Sequence, residues 1–130
     1  MKKKALLVDD AAFMRMMLKR TLEELDFEVI AEAKSGKEAV RLYNQYKPDL
    51  VTMDLSMPEM DGIEATKKII ANDPEAKIVI CSALGQKRKI IDSVKAGAKD
   101  FILKPFDKES IARKISILLN SGQNYLKKEA

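Results

Sequence analysis

Short apolar runs alternate with longer amphipathic segments along the whole chain of 130 residues. The runs predict five β-strands, at residues 5–8, 29–31, 50–53, 78–81 and 101–103. Each segment between them carries apolar residues three or four positions apart, which indicates an amphipathic helix. Because the strand runs are continuously apolar, both faces of the sheet are expected to be covered by helices. The pattern therefore predicts a doubly wound parallel α/β fold.

The first predicted helix has a broad apolar face, made up of Phe13, Met14, Met17, Leu18, Leu22 and Leu25. We expect this face to pack in the core, and we interpret its methionines as core residues rather than as a binding surface. The other helices have capping or terminating residues at their predicted ends. These are Ser35 with Glu38 for the second helix, Gly62 and the sequence NDP (72–74) for the third, Gly97 for the fourth, and Asp107 and Gly122 for the fifth.

Composition and charge describe an ordinary globular chain with a basic C-terminal third. The sequence is 46% hydrophobic and 34% charged, and no apolar run approaches the roughly 18 residues that a membrane span needs. The N-terminus lacks the pattern of a signal peptide, so we expect a cytoplasmic protein. Residues 1–86 carry 13 Lys/Arg against 15 Asp/Glu, whereas residues 87–130 carry 11 against 5, a net charge of +6. The basic third could bind an acidic partner or a nucleic acid.

The chain has one cysteine and no histidine. A single cysteine excludes an internal disulfide, and the apolar run IVIC around Cys81 predicts a buried thiol rather than a nucleophile. The absence of histidine removes the commonest general base and the commonest metal ligand. Any metal site in this chain must therefore rely on oxygen ligands.

Residues suited to binding an ion or a phosphate stand where four of the predicted strands end. They are Asp9 and Asp10 after the first strand, Asp54 after the third, Ser82 and Ala83 after the fourth, and Lys104 after the fifth. The carboxyl ends of parallel strands share one edge of the sheet, which is where doubly wound folds bind ligands. Converging carboxylates repel one another unless a cation holds them, and oxygen ligands favour Mg²⁺ or Mn²⁺.

Such a cation completes its shell with a phosphate oxygen, so the neighbouring polar groups are interpreted as phosphoryl contacts. Lys104 can act as a point charge on the phosphoryl group. Ser82 can donate a hydrogen bond to it, and the small side chain of Ala83 leaves its backbone N–H approachable.

Four motifs, LLVDD, VTMDLSMPEMDG, CSALG and AGAKDFILKPF, resemble the receiver domain of two-component response regulators over residues 4 to about 120. The stretches VDDAAFMRMML and CSALGQ are similar to its stand-alone chemotaxis branch. The resemblance implies a flavodoxin-like fold with five parallel strands in the order 2-1-3-4-5. It also implies a receiver domain over residues 1–122, a short polar tail over 123–130, and no output domain.

The resemblance implies a role for each residue at the strand ends. Asp54 would accept a phosphoryl group from a histidine kinase, while Asp10 and Asp54 bind Mg²⁺ directly together with the backbone carbonyl of Ser56. Asp9 would reach the metal through water, and Lys104 would neutralise the phosphoryl group. The protein would then be a signalling switch that catalyses its own phosphorylation and slow dephosphorylation, not an enzyme with a separate substrate.

The resemblance also implies how the phosphoryl group is read. Ser82 would move toward it and Phe101 would turn inward; the family often has threonine and tyrosine there, so Phe101 must signal by packing. Partners expected are a CheA-like histidine kinase, a flagellar motor switch protein or another phosphorylation-dependent target, and a phosphatase, with no membrane and no direct nucleic acid. The expected partner surface is Lys87, Arg88, Lys89, Lys95, Phe101, Lys108 and Lys114.

The sequence also bears on several other functions. A stand-alone phosphorelay intermediate, passing its phosphoryl group to a histidine phosphotransfer protein, remains an alternative within the family. A phosphohydrolase of the haloacid dehalogenase type needs a second acid two residues after its nucleophile, where this chain has Ser56. A flavodoxin-like cofactor carrier would bind phosphate after the first strand, where Asp9 and Asp10 put two negative charges. DNA binding through a helix-turn-helix is not expected, because all five predicted helices are needed for the α/β fold.

Overall fold

The computed structural model describes residues 2–57, 59–83, 85–104 and 107–120, with the backbone only at Asn120. Strands and helices alternate strictly through this part of the chain, as predicted. The elements are β1 (Lys3–Val8), α1 (Ala12–Glu24), β2 (Phe27–Ala33), α2 (Gly36–Tyr46), β3 (Leu50–Asp54), α3 (Gly62–Asn72), β4 (Ile78–Ser82), α4 (Lys87–Lys95), β5 (Asp100–Leu103) and α5 (Lys108–Asn120).

The five strands form one parallel sheet in the order β2-β1-β3-β4-β5, which confirms the predicted flavodoxin-like topology. Alternate residues of β1 belong to different halves of the core: Leu6 and Val8 pack with α2, α3 and α4, whereas Ala5 and Leu7 pack with α1 and α5. Both faces of the central strands are therefore buried, which explains why their sequences are continuously apolar. Cys81 lies within β4 and is buried.

The predicted helix caps form where the structure describes them. The Ser35 hydroxyl accepts a hydrogen bond from the backbone N–H of Glu38 at 3.1 Å, and Asp107 accepts one from the N–H of Ser110 at 2.7 Å. Gly97 follows α4 with φ +121°, a left-handed conformation that glycine adopts without penalty. The predicted end of the fifth helix near Gly122, and the tail at 123–130, lie outside the described residues.

The prediction for the buried face of α1 was wrong at two residues. Leu18 and Leu22 are buried as expected, but Phe13 is 64% exposed and Met17 is 37% exposed. Arg15 faces inward instead, 8% exposed, because its guanidinium has partners on the sheet side of the helix. Burying a cation is tolerable only when its N–H groups are paired. The helix is therefore rotated to bring Arg15 inward, and Phe13 and Met17 face solvent.

Within the described part of the chain, no helix has the length and apolar character that crossing a membrane requires.

Candidate functional site

The ends of β1 and β3 bring three carboxylates together. Asp9 and Asp10 directly follow β1, and Asp54 is the last residue of β3. One carboxylate oxygen of each lies within 4.8 Å of the other two. The sequence predicted this convergence, since the carboxyl ends of neighbouring parallel strands meet at one edge of the sheet.

Asp9 is only 3% exposed and is held from several sides. Its backbone N–H donates to the carbonyl oxygen of Ala33 at 3.0 Å, and its side chain accepts from the N–H of Ala11 at 2.9 Å. Arg15 donates from Nη1 to the Asp9 carbonyl oxygen at 2.7 Å and from Nε to Glu32 at 2.9 Å. Arg15 thus ties the first acid of the cluster to α1 and β2. Its position in the sequence, between apolar residues of α1, did not predict this positioning role.

Asp54 is positioned by the turn that leads from β3 into α3. Its Oδ1 accepts from the backbone N–H of Leu55 at 3.0 Å, and the N–H of Gly62 donates to the carbonyl oxygen of Leu55 at 3.0 Å. A Cβ atom at Gly62 would lie 2.1 Å from the carbonyl oxygen of Asp54. Only glycine therefore lets α3 start this close to the third acid. Asp61 caps α3 by accepting from Glu64 N–H at 3.0 Å.

Lys104 joins the two buried acids. Its Nζ lies 3.4 Å from Asp9 Oδ2 and 3.4 Å from Asp54 Oδ1, and its backbone N–H donates to the carbonyl oxygen of Ser82 at 2.7 Å. The predicted lysine at the end of the fifth strand therefore lies with the predicted acids, although it is 50 residues from Asp54 in sequence.

The positive charge of Lys104 balances only part of the negative charge of the acids. Burial, followed by the negative charge of Asp9, raises the pKa of Asp54, and Lys104 offsets part of this effect. Burial alone would lower the pKa of Lys104, but the carboxylates of Asp54 and Asp9 outweigh burial and raise it. One lysine thus faces three acids, and a further cation among the carboxylate oxygens would relieve their repulsion.

This donor set fits a divalent metal ion. The cluster offers only hard oxygen ligands, and Asp10 is exposed, so an ion and its waters could enter from solvent. Oxygen-only ligation is characteristic of hard cations. Ser56, whose backbone carbonyl was predicted as a further ligand, follows Asp54 by two residues and is exposed. The cluster can therefore bind a divalent cation.

The predicted hydroxyl and amide donors lie at the end of β4 and share one partner. Ser82, 0% exposed, donates from its hydroxyl to Gln86 Oε1 at 2.7 Å, and Ala83 donates from its backbone N–H to the same oxygen at 2.9 Å. Gln86 Nε2 in turn donates to the hydroxyl of Ser56 at 3.3 Å. Gln86 was not predicted; a polar residue four positions after Ser82, at the start of a helix, was the only sequence signal.

Phe101 lies half-buried on the edge strand, and Lys114 covers it. Lys114 Nζ lies 4.6 Å from the centre of the Phe101 ring and 3.1 Å from Asp100 Oδ1. A groove of about 380 Å³ adjoins the ring. Its lining residues are Ala83, Gly85, Gln86, Lys87, Ile90, Ile91, Phe101 and Leu103.

The predicted basic surface contains exposed side chains on α4 and ion-paired side chains elsewhere. Lys87, Arg88, Lys89 and Lys95 are exposed on α4, and Arg88 makes a long pair with Asp92 at 3.9 Å. Lys108 forms an ion pair with Glu24 at the end of α1, and Lys114 pairs with Asp100. The positive charge available to a partner beside the groove is therefore concentrated on α4.

A five-stranded doubly wound sheet with an acid cluster and a lysine at its carboxyl edge defines the receiver class of signalling domains. The family model described as the response regulator receiver domain matches residues 5–116, and the chain belongs to this family.

Relatives with high identity are chemotaxis proteins. CheY of Listeria monocytogenes is 55% identical over 108 residues, 83% of this chain and 91% of that protein. CheY of Thermotoga maritima is 53% identical over 116 residues, 89% and 97% of the two chains. A chain in the crystal structure of the CheX–CheY–BeF₃–Mg²⁺ complex from Borrelia burgdorferi is 34% identical, with a TM-score of 0.86 over 90% of this chain and 89% of that chain.

Proposed function

We propose that this protein is a chemotaxis response regulator that accepts a phosphoryl group from a histidine kinase on Asp54. The observation that supports this most directly is the position of Lys104, 3.4 Å from both Asp9 and Asp54 within the acid cluster. A lysine between two buried carboxylates offers a positive charge at the place where a phosphoryl group on Asp54 would add negative charge.

The chemistry follows from the side chains at the sheet edge. An Asp54 carboxylate oxygen forms a bond to phosphorus as the bond from phosphorus to the donor breaks. That bond is P–N in a phosphohistidine or P–O in a small donor such as acetyl phosphate, and its electron pair leaves with the donor group. Ser82 O–H, Ala83 N–H and Lys104 Nζ are the donors proposed for the phosphoryl oxygens. Such transfers depend mainly on positioning and charge.

Mg²⁺ is the cation proposed for the cluster, held by Asp10, Asp54 and the Ser56 carbonyl, with Asp9 acting through water. When bound, it supplies positive charge to the acids and to the phosphoryl oxygens. The protein is proposed to promote its own phosphorylation and slow dephosphorylation in this way, and not to turn over a separate substrate.

The output is proposed to be a partner that binds beside α4 once Asp54 is phosphorylated. Movement of Ser82 toward the phosphoryl group and an inward turn of Phe101 would reshape the groove that Phe101 lines. An amphipathic partner segment with acidic residues suits an apolar groove that Lys87 helps to line, with Lys89 exposed on the same helix. The CheY relatives suggest a flagellar motor switch protein as that partner and a CheA-like kinase as the donor, and the CheX–CheY complex suggests a phosphatase.

Phosphorylation is tested by mass spectrometry after incubation with acetyl phosphate and Mg²⁺. One phosphoryl adduct is expected on the wild-type protein and none on Asp54→Ala or in EDTA. Asp61→Ala removes an exposed acid from the same segment and should keep the adduct. An adduct that persists on Asp54→Ala would overturn the site assignment.

The output is tested by capturing partners with the phosphorylated protein and with Asp54→Ala. Flagellar switch proteins in the phosphorylation-dependent fraction support the chemotaxis role, whereas a histidine phosphotransfer protein would favour a phosphorelay. Lys87→Glu with Lys89→Glu should weaken partner binding at least tenfold. The matched pair Lys67→Glu with Lys68→Glu on α3, also exposed, should not. Equal effects of both pairs would contradict the proposed surface.

A further inference from the structure

Gln86 makes three side-chain hydrogen bonds at the edge of the site. Its Oε1 accepts from the Ser82 hydroxyl at 2.7 Å and from the Ala83 N–H at 2.9 Å, and its Nε2 donates to the Ser56 hydroxyl at 3.3 Å. One amide group therefore joins the end of β4 to the segment that follows β3. Because a backbone N–H can only donate, the Ala83 contact fixes the oxygen end of the amide toward β4.

The two groups that donate to Gln86 Oε1 are the two β4 donors proposed for the phosphoryl group. A hydroxyl and an N–H each carry one proton, so each makes one strong hydrogen bond at a time. We propose that Gln86 is an internal competitor of the phosphoryl group, whose amide oxygen occupies Ser82 and Ala83 in the unphosphorylated protein and must be displaced when Asp54 is phosphorylated. This inference rests on the proposed function.

Displacing Gln86 would also act on the partner groove. Gln86 immediately precedes α4, its carbonyl oxygen accepts the first helical hydrogen bond from Ile90 at 3.0 Å, and its side chain lines the groove. Gly85 directly precedes Gln86, with φ +90° and open space around it, a backbone conformation that glycine adopts without penalty. Exchange of Gln86 for a phosphoryl oxygen therefore couples the phosphoryl site to the start of α4, without requiring a tyrosine at position 101.

The size of the effect follows from the two contacts that are lost. Each net hydrogen bond changes an equilibrium constant by roughly two- to tenfold. Without Gln86 the Ser82 hydroxyl keeps only a longer contact with the Ala83 carbonyl oxygen, at 3.2 Å among the described residues, and water cannot readily replace the Gln86 oxygen because Ser82 has no exposed surface. Gln86→Met, which keeps the length of the side chain but lacks the acceptor, should therefore bind a phosphoryl analogue roughly tenfold more tightly. Gln86→Glu, a stronger and charged acceptor, should bind it more weakly than wild type.

The experiment is titration of beryllofluoride, an analogue of the phosphoryl group, in saturating Mg²⁺, followed by NMR of the backbone amides. Wild type, Gln86→Met, Gln86→Glu and Gln45→Met are compared, the last being the same substitution at an exposed position of α2. Before any addition, the Ala83 amide proton of Gln86→Met should shift upfield, since its hydrogen bond is lost. The Gln45→Met protein should match wild type in both measurements.

A double-mutant cycle separates competition from a structural effect. In a Ser82→Ala background the gain from Gln86→Met should fall to about threefold or less, because only the Ala83 contact remains to be released. Tighter binding by Gln86→Met that is reduced in this background supports the proposal. Unchanged or weaker binding by Gln86→Met, binding by Gln86→Glu as tight as wild type, or an undiminished gain in the Ser82→Ala background overturns it. Absence of beryllofluoride binding by wild type would instead overturn the proposed function.

Discussion

Asp54 is buried beside other acids, so its charge destabilises the folded protein when no cation is bound. Asp54→Asn removes the charge and keeps the shape and the acceptor for the N–H of Leu55. The variant should therefore unfold at a higher temperature than wild type in EDTA, although it replaces the proposed phosphoacceptor.

The magnitude follows from the distances in the cluster. Carboxylate oxygens of Asp9, Asp10 and Asp54 lie within 4.8 Å of one another, where two unit charges repel by about 3–4 kcal/mol at an effective dielectric constant of about 20. Attraction to Lys104 at 3.4 Å offsets about one such repulsion. Asp10 is exposed, so solvent weakens its repulsion of Asp54. The net gain from Asp54→Asn is then about 1–2 kcal/mol, or a rise in Tm of roughly 4–8 °C.

The pH dependence of this gain has a definite sign. The pKa of Asp54 is raised in the folded state, first by burial and then by Asp9. Its unfavourable contribution is therefore present at neutral pH and disappears as the pH falls through the folded-state pKa. The difference in Tm between Asp54→Asn and wild type should shrink from pH 7 toward the unfolded-state value of about 4.

Thermal unfolding in EDTA and in Mg²⁺ measures both effects. A ligand that binds only the folded state raises its stability, so Mg²⁺ should raise the Tm of wild type and raise that of Asp54→Asn much less. Asp26→Asn is the matched control, at an exposed site with φ +70°, and should match wild type in both conditions. An Asp54→Asn protein that melts at or below wild type in EDTA would refute the reasoning.

Three further substitutions test how the site is built. Gly62→Ala should lower the free energy of unfolding, measured in urea, by at least about 2 kcal/mol, because the new Cβ would lie 2.1 Å from a backbone oxygen at the end of β3. A decrease below about 0.5 kcal/mol would contradict the geometry. Arg15→Met should cost about 1–3 kcal/mol and weaken Mg²⁺ binding, whereas Arg20→Met, exposed on the same helix, should do neither; equal effects would exclude a positioning role. Lys114→Met should cost about 0.5–1 kcal/mol through its contacts with Phe101 and Asp100 and leave Mg²⁺ affinity unchanged, an outcome that altered affinity would contradict.

The alternation of strands and helices could be predicted because it depends on short-range patterns, and the convergence at the sheet edge follows from the parallel arrangement of the strands. The strand order was implied only by the resemblance to the receiver family. Buried parallel strands require continuous apolar runs, and topology alone brings Asp54 and Lys104 to the same edge. Caps such as Ser35 are local as well, since the donor lies three residues away.

The orientation of α1 could not be predicted from its own sequence. Apolar residues occur on more than one side of this helix, at Phe13, Met16 and Met17 as well as at Leu18, so periodicity does not select a single face. The rotation is decided by Arg15, whose partners belong to β2 and to the end of β1. Gln86 could not be predicted for a similar reason, because its role depends on which groups its side-chain amide contacts in the folded protein.

The buried thiol of Cys81 gives this protein a built-in probe of motion beside its site. Cys81 pairs with Asp54 across the sheet and directly precedes Ser82. Burial raises the pKa of its thiol to about 12, so a thiol reagent can reach a reactive thiolate only when this part of the sheet opens. Because the chain has no other cysteine, its alkylation rate reports one opening event. The rate of opening beside the acid cluster can therefore be measured with and without Mg²⁺, without introducing a label.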